Sequence, residues 1–297
     1  MEKNQETRNS NMEILRIIFM IMIVLSHFFL YTGIYNTHPY MGIIFGSFGN
    51  LGVNIFVLIS SYYLVKSDFK FKKIFKLWFQ VFLYSVIIGG ACLLSNCTEF
   101  NERSILKMFA PISYSQYWFA STYMFLYFIF PFLNKFINRL SQKEYKILLI
   151  ILTLLLSMVY SVILKSNFFD ADGPGTFTWF VYLYLCGGYI RLYNIPYFND
   201  KTKNIIILLL LFITLYFASI LLYAFSKSFY FYKLNSIFMV GLAISMFYLF
   251  INIKPKFSKM INNIGKFSFS VYLINENPYI RTKLCTKMDE VYNNIKV

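Results

Sequence analysis

Charge is scarce in this chain: only 14% of its 297 residues are charged, against about 25% in an ordinary soluble domain. That shortage excludes a water-soluble globular protein, since 58% of the residues are hydrophobic and 21% aromatic. Histidine is nearly absent, with two in all, and the four cysteines, Cys92, Cys97, Cys186 and Cys285, form no C-x-x-C pair. No zinc or iron-sulfur ligand set can be assembled from them, so neither a metal nor a resident cofactor is expected. A structural disulfide is not expected either, although Cys92 and Cys97 could pair if both faced an oxidising compartment. Short alternating strands are missing, which excludes a porin-like barrel. Internal repeats, low-complexity tracts and linker-like stretches are also missing, so residues 1–297 read as a single domain.

Long apolar runs fill the chain instead. A bilayer-spanning helix needs roughly 20 mostly apolar residues to cross ~30 Å of hydrocarbon, and backbone polar groups in lipid must be satisfied within the segment. The runs predict helices over Ile14–Tyr31, Ile44–Val65, Ile74–Ser95, Tyr117–Ile137, Ile147–Leu164, Thr178–Ile190, Ile205–Phe225 and Leu234–Ile253, with a ninth segment near Gly265–Ile280. The expected fold is all-α, a polytopic transmembrane bundle of about nine helices. The first run is too long for a signal-peptide core and lacks a small-residue cleavage site after it, so it reads as a retained helix. The segment at Thr178 is short, and the ninth contains Asn275, Glu276, Asn277 and Pro278, so either could be re-entrant, tilted or incomplete.

A net charge of +15 would suggest nucleic acid in a soluble protein. Here the basic residues sit between the apolar runs, which is the footprint of topology, and no nucleic-acid partner is expected. The second, fourth, sixth and eighth loops hold sixteen Lys and Arg residues and the odd loops five. Cytoplasmic loops are the enriched ones, so the even loops and the N-terminus read as cytoplasmic and the protein as multi-pass in the plasma membrane. The basic tail of Arg281, Lys283, Lys287 and Lys296 conflicts with this parse, because a complete ninth span would place it outside. Either the tail is exterior, or the ninth segment does not cross, or a last helix is lacking.

Ionisable residues inside a membrane are expensive and are functional candidates by default. The first helix carries Arg16 and His27. Eleven residues of helix bring them to within roughly 20° of one face, ~16 Å apart along the axis. A rigid guanidinium fork suits phosphate or pyrophosphate, and a neutral imidazole can take a hydroxyl proton and return it to a leaving group. That pairing suits an anionic cytoplasmic donor and a hydroxyl acceptor within or across the bilayer. The competing reading has Arg16 snorkelling to headgroups and His27 bonding a neighbouring helix. His38, beside Pro39 in the first exterior loop, reads as an ordinary solvated side chain.

The second helix carries Gly46, Gly49 and Gly52 at three-residue intervals, followed by Asn54 and Ser60. Small residues let a helix backbone or a ligand approach closely, and helix packing is the plainer of the two explanations.

An arginine, ten intervening residues and a histidine in the first helix, then Gly49, Gly52, Val53, Phe56, Ser60 and Tyr62 in the second, resemble the acyltransferase-3 family of membrane-bound O-acyltransferases. The run Lys70-Phe71-Lys72-Lys73-Ile74-Phe75-Lys76, the pair Trp118-Phe119 with Pro131-Phe132-Leu133-Asn134, and the stretch Ile264 to Ile274 are similar to further parts of that family. The resemblance implies a ten-helix fold, of which this chain lacks the last, and a transferase. Its donor would be cytoplasmic acyl-coenzyme A, usually acetyl-CoA, bound as co-substrate. Its acceptor would be a hydroxyl of a cell-envelope or capsular polysaccharide or its lipid-linked precursor, giving O-acetylation. Carried over, His27 would be general base, Arg16 would help hold the donor, and Lys72, Lys73 and Lys76 would attract its phosphates. Gly49, Gly52, Asn54 and Ser60 would line the site. The sequence departs from the pattern at Ser61, where glycine is usual, and at Asn275, where histidine is frequent.

Two other readings stay open on the residues alone. A transporter or flippase for a lipid-linked sugar would also have many helices with buried polar groups, although no broken helices recur in matching halves. A truncated, inactive relative would also lack the last helix and the histidine of the ninth segment.

Overall fold

In a computed structural model the described residues are 9–32, 34, 38–95, 101–162, 175–225, 227, 230–281, 283, 286 and 287. Among them every regular element is helical. Cys97, Cys285, Lys165 and Lys296 lie outside the described residues, and with Cys97 goes the question of its pairing with Cys92.

The long helices follow the apolar runs and extend beyond most of them into capping residues. They are α1 (Ser10–Tyr31), α2 (Pro39–Leu64) and α3 (Phe71–Leu94). A short α4 (Glu102–Phe109) precedes α5 (Trp118–Ile137) and α6 (Gln142–Thr153). Helix α6 continues through a π-helical turn, Leu154–Met158, into Val159–Val162, while Ile163 and Leu164 of the expected fifth span lie outside the described residues. Then come α7 (Gly175–Tyr193), α8 (Lys201–Tyr223), α9 (Ile237–Ile251) and α10 (Lys259–Asn275). Four of these, α1, α2, α3 and α8, are long and apolar enough to cross a membrane. The protein is a helical membrane protein.

Three differences from the sequence reading have local causes. The segment at Thr178 is a full helix of 19 residues, because its polar flanks Gly175 and Arg191 are helical too. The short α4 falls between apolar runs, with Ile105, Leu106 and Phe109 exposed. The ninth segment starts at Lys259, six residues earlier than expected, because Ser258 caps it by accepting a hydrogen bond from the Ile261 amide. It ends at Asn275, and Asn277 begins a new turn by accepting from the Tyr279 amide and from Arg281 N.

Helix α2 is the axis of the bundle and packs against α1, α5, α7, α8 and α9. Glycines set these distances. A Cβ at Gly52 would stand 2.7 Å from Ile23 Cγ1 and 3.3 Å from the Phe19 carbonyl of α1. A Cβ at Gly187 would meet Ser61 Cβ at 2.6 Å and the Leu58 carbonyl of α2 at 3.0 Å. Buried amides link the same helices: Asn54 donates to the Leu234 carbonyl and accepts from Trp179 Nε1.

Helices α1 and α10 run parallel and in register. At one end Ser10 Oγ bonds Asn262 Oδ1 at 2.9 Å, and the Asn11 amide reaches the Ile253 and Lys254 carbonyls. At the other end His27 meets Asn275 and Glu276. Between these, Gly265 faces Glu13 so closely that a Cβ there would overlap its side chain.

Candidate active site

Between α1, α2, α3, α5 and α10 lies a cavity of about 450 Å³. Arg16 and His27 both line it, as the shared helix face requires, and so do Gly49 and Ser60 of α2. Aromatic side chains close it from the remaining sides, among them Trp118, Phe119 and Tyr123 from α5. Residues accessible to the outside stand at both ends. Lys266 is exposed at the end near Arg16, and Leu30 and Tyr31, each 40% exposed, at the end near His27.

His27 is held by the residues just past the C-terminal end of α10. Its Nδ1 lies 2.9 Å from Glu276 Oε1 and 2.5 Å from the Asn275 side-chain amide. The two contacts make opposite demands, because one ring nitrogen cannot accept from an amide N–H and donate to a carboxylate at once. The carboxylate decides the matter: at 2.9 Å an anionic oxygen facing an imidazole lone pair would be repelled, so the proton belongs on Nδ1. The Asn275 amide then turns its oxygen toward the ring, a rotation that exchanges two ends of nearly equal shape. The Glu276 approach is not an aligned hydrogen bond, and such contacts commonly tighten only when substrate binds. This tautomer leaves Nε2 as the acceptor of a proton. Glu276 is itself 7% exposed in its side chain and has the Arg281 guanidinium 3.7 Å from its other oxygen.

Arg16 is paired within its own helix. Its Nη1 donates to Glu13 Oε1 at 2.7 Å, and the Glu13 side chain is 3% exposed behind it. The carboxylate fixes one edge of the fork and leaves the rest of the guanidinium at the cavity wall.

The other residues named from the sequence are placed elsewhere. Gly52 is spent on contact with α1, and Asn54 on joining α2 to α7 and the residue at Leu234, so neither lines the cavity. Lys72, Lys73 and Lys76 lie exposed on the first turns of α3, where hydrated ammonium groups keep their water, and do not line it. His38 is the exposed N-cap residue of α2. Sequence reading missed Glu13, Glu276 and Lys266 as site residues. Glu13 carried a usable signal, a carboxylate three residues before an intramembrane arginine. Glu276 had been visible only as part of a polar interruption.

Fold and cavity together define a helical membrane protein with an internal pocket that carries a histidine–carboxylate pair at one end and arginine at the other. The chain matches the acyltransferase domain family, acyltransferase-3, over residues 9–281, and belongs to that family. It is an acyltransferase by that membership, and the match runs from the cap of α1 through Glu276 and Arg281. No curated protein and no solved structure matches it.

Proposed function

We propose that the protein transfers an acyl group, acetyl in the first instance, from cytoplasmic acyl-coenzyme A to a hydroxyl of a cell-envelope or capsular glycan or its lipid-linked precursor. About nine helices crossing the plasma membrane would form one domain over residues 1–297, with the N-terminus in the cytoplasm. The observation that carries this reading is the placement of Arg16 and His27 along one cavity, with exposed lining residues near each of them. A donor entering at Arg16 and an acceptor entering at Tyr31 would meet at His27, and neither would need to cross the whole bilayer.

In the reaction His27 Nε2 takes the acceptor hydroxyl proton as the oxygen attacks the thioester carbonyl. The tetrahedral intermediate collapses, the carbon–sulfur bond breaks, and the imidazolium returns the proton to the departing thiolate. Glu276 holds the Nδ1 proton and offsets the charge on the ring while the intermediate lasts. Arg16, steadied by Glu13, meets the anionic portion of the donor. The role of Lys72, Lys73 and Lys76 in this scheme is long-range attraction of the donor, which exposed charges exert through solvent.

The test is transfer from radiolabelled acetyl-CoA by purified protein in nanodiscs, beside His27→Ala. General-base catalysis contributes typically ~10²–10⁴-fold, so the variant should lose label transfer by that factor while eluting as the same monodisperse species. Retained turnover in His27→Ala would remove the histidine from the mechanism. Absence of any transfer or donor binding by the unaltered protein would reject the acyl-CoA reading itself.

A further inference from the structure

We infer that Lys266, which lines the same cavity as Arg16, forms with it a two-cation seat for a phosphate group of the donor. This rests on the acyl-CoA reading above and gives a role to a residue that had none in that scheme.

Three observations place it. Helices α1 and α10 are parallel and in register, with Ser10 against Ser258 and Asn262 and His27 against Asn275 and Glu276. Gly265 is level with Glu13, so Lys266 stands about 3 Å short of Arg16 along the helix axis at 1.5 Å per residue. Gly265, which has no side chain to meet Glu13, lets α10 close on α1 at that level, and both cations line the one cavity.

Lys266 is also out of place as a plain membrane-helix residue. Its neighbours Ile264, Phe267, Val271 and Ile274 are exposed and apolar, as a lipid-facing stripe requires. Gly265, Ser268 and Tyr272 turn inward to the cavity. A lysine within such a helix is costly unless it reaches water or an anion. Its ammonium donates to Asn263 Oδ1 at 2.9 Å, a neutral acceptor on the same helix.

Charge completes the case. Glu13 already offsets Arg16, so the group Glu13, Arg16 and Lys266 carries one unit of positive charge in excess. A phosphate oxygen between the guanidinium fork and the ammonium would satisfy both, Arg16 through paired donors and Lys266 as a point charge. The exposed lysines of α3 stand outside the cavity and cannot make that contact.

The experiment compares acetyl-CoA with S-acetylpantetheine, a thioester of the same reactive end but without phosphate, in the unaltered protein, Lys266→Gln and Lys266→Arg. Loss of a charge-assisted contact predicts a KM for acetyl-CoA raised about tenfold or more in Lys266→Gln, with kcat within about twofold. The KM for S-acetylpantetheine should not move, and Lys266→Arg should restore most of the loss. Equilibrium binding of coenzyme A should weaken by the same factor without any turnover. An unchanged KM and unchanged coenzyme A binding, as a lysine merely snorkelling to headgroups would give, overturns the inference. An equal change for both thioesters overturns it too, since that is the mark of a structural role. If the unaltered protein neither binds coenzyme A nor turns over either thioester, the acyl-CoA reading fails and this seat with it.

Discussion

His27 and Asn275 are 248 residues apart in the chain and touch in the fold. The contact brings the next residue, Glu276, to 2.9 Å from His27 Nδ1, and in the proposed scheme that carboxylate is a positioning residue that sets which nitrogen of the imidazole is available. Replacing Glu276 by Gln keeps the shape and removes the charge that holds Nδ1 protonated. The expected result is a fall in kcat of up to about 10⁴-fold, the loss on turning a triad's orienting carboxylate into an amide, with KM for acetyl-CoA changed little because the proposed phosphate seat is at the other end of the cavity. Glu276→Asp should recover part of kcat. A Glu276→Gln variant with normal kcat, measured under saturating donor, would show that the pairing is structural only. At this scale Arg16 and His27 were legible in advance, because both lie on one helix and its period alone puts them on one face. Glu276 was not, since nothing in the sequence says how far α10 runs before it turns toward α1.

At the scale of helices, glycine decides which pairs can close. A side chain at Gly187 would press on Ser61 and on the Leu58 carbonyl, and a carbonyl in a helix cannot rotate aside. Gly187→Ala should lower stability by about 1–3 kcal/mol, the usual cost of overpacking, read as an earlier thermal unfolding midpoint in detergent. Gly90 on α3 has nothing within 4 Å of its would-be Cβ. Gly90→Ala should be neutral or stabilising by up to ~1 kcal/mol, since alanine costs less than glycine in a helix. Equal losses in both variants would mean that glycine acts through flexibility and not through contact.

The start of α6 should respond to acid. Ser141 and Glu144 form a capping box before the apolar stretch at Ile147: Glu144 N donates to Ser141 Oγ, and Glu144 Oε2 accepts from the Ser141 hydroxyl at 2.6 Å and its amide at 2.8 Å. These bonds, the hydroxyl first and the amide second, hold the Glu144 carboxyl below its ordinary value. A depressed folded-state pKa gives stability that is complete above the unfolded value and lost as pH falls through the folded one. Amide exchange at residues 142–145 should therefore accelerate, relative to the intrinsic rate, as pH drops below the ordinary glutamate range. In Glu144→Gln that pH dependence should vanish. That box is local, an S-x-x-E pattern before an apolar run. The π turn at Leu154–Met158 is accompanied by a distant contact, in which Asn235 donates to the Leu156 carbonyl.

For the whole molecule, the proposed orientation follows from the bias of Lys and Arg toward alternate loops. Single cysteines placed at Lys143 and Arg103 in a cysteine-free background should differ in labelling by an impermeant maleimide on intact cells: Arg103→Cys should react, and Lys143→Cys only after lysis. The reverse pattern would invert the bundle and put the Arg16 end outside, which would also end the case for a cytoplasmic donor at that mouth.

Composition and period by themselves determined that this chain is helical and embedded in a membrane, where most of the helices run, and that Arg16 and His27 share a face. Those properties depend on neighbours within one helix or on partition between water and lipid, and each residue contributes to them locally. The tertiary structure alone decided which glycine faces a cavity and which faces a helix. It also decided that Asn54 joins α2 to α7 and the residue at Leu234, that Glu276 reaches His27, and that Lys266 lines the same cavity as Arg16. These depend on the separation and register of helices distant in sequence, set by close contacts such as Gly265 against Glu13 and Ser10 against Asn262, and no single helix carries that information.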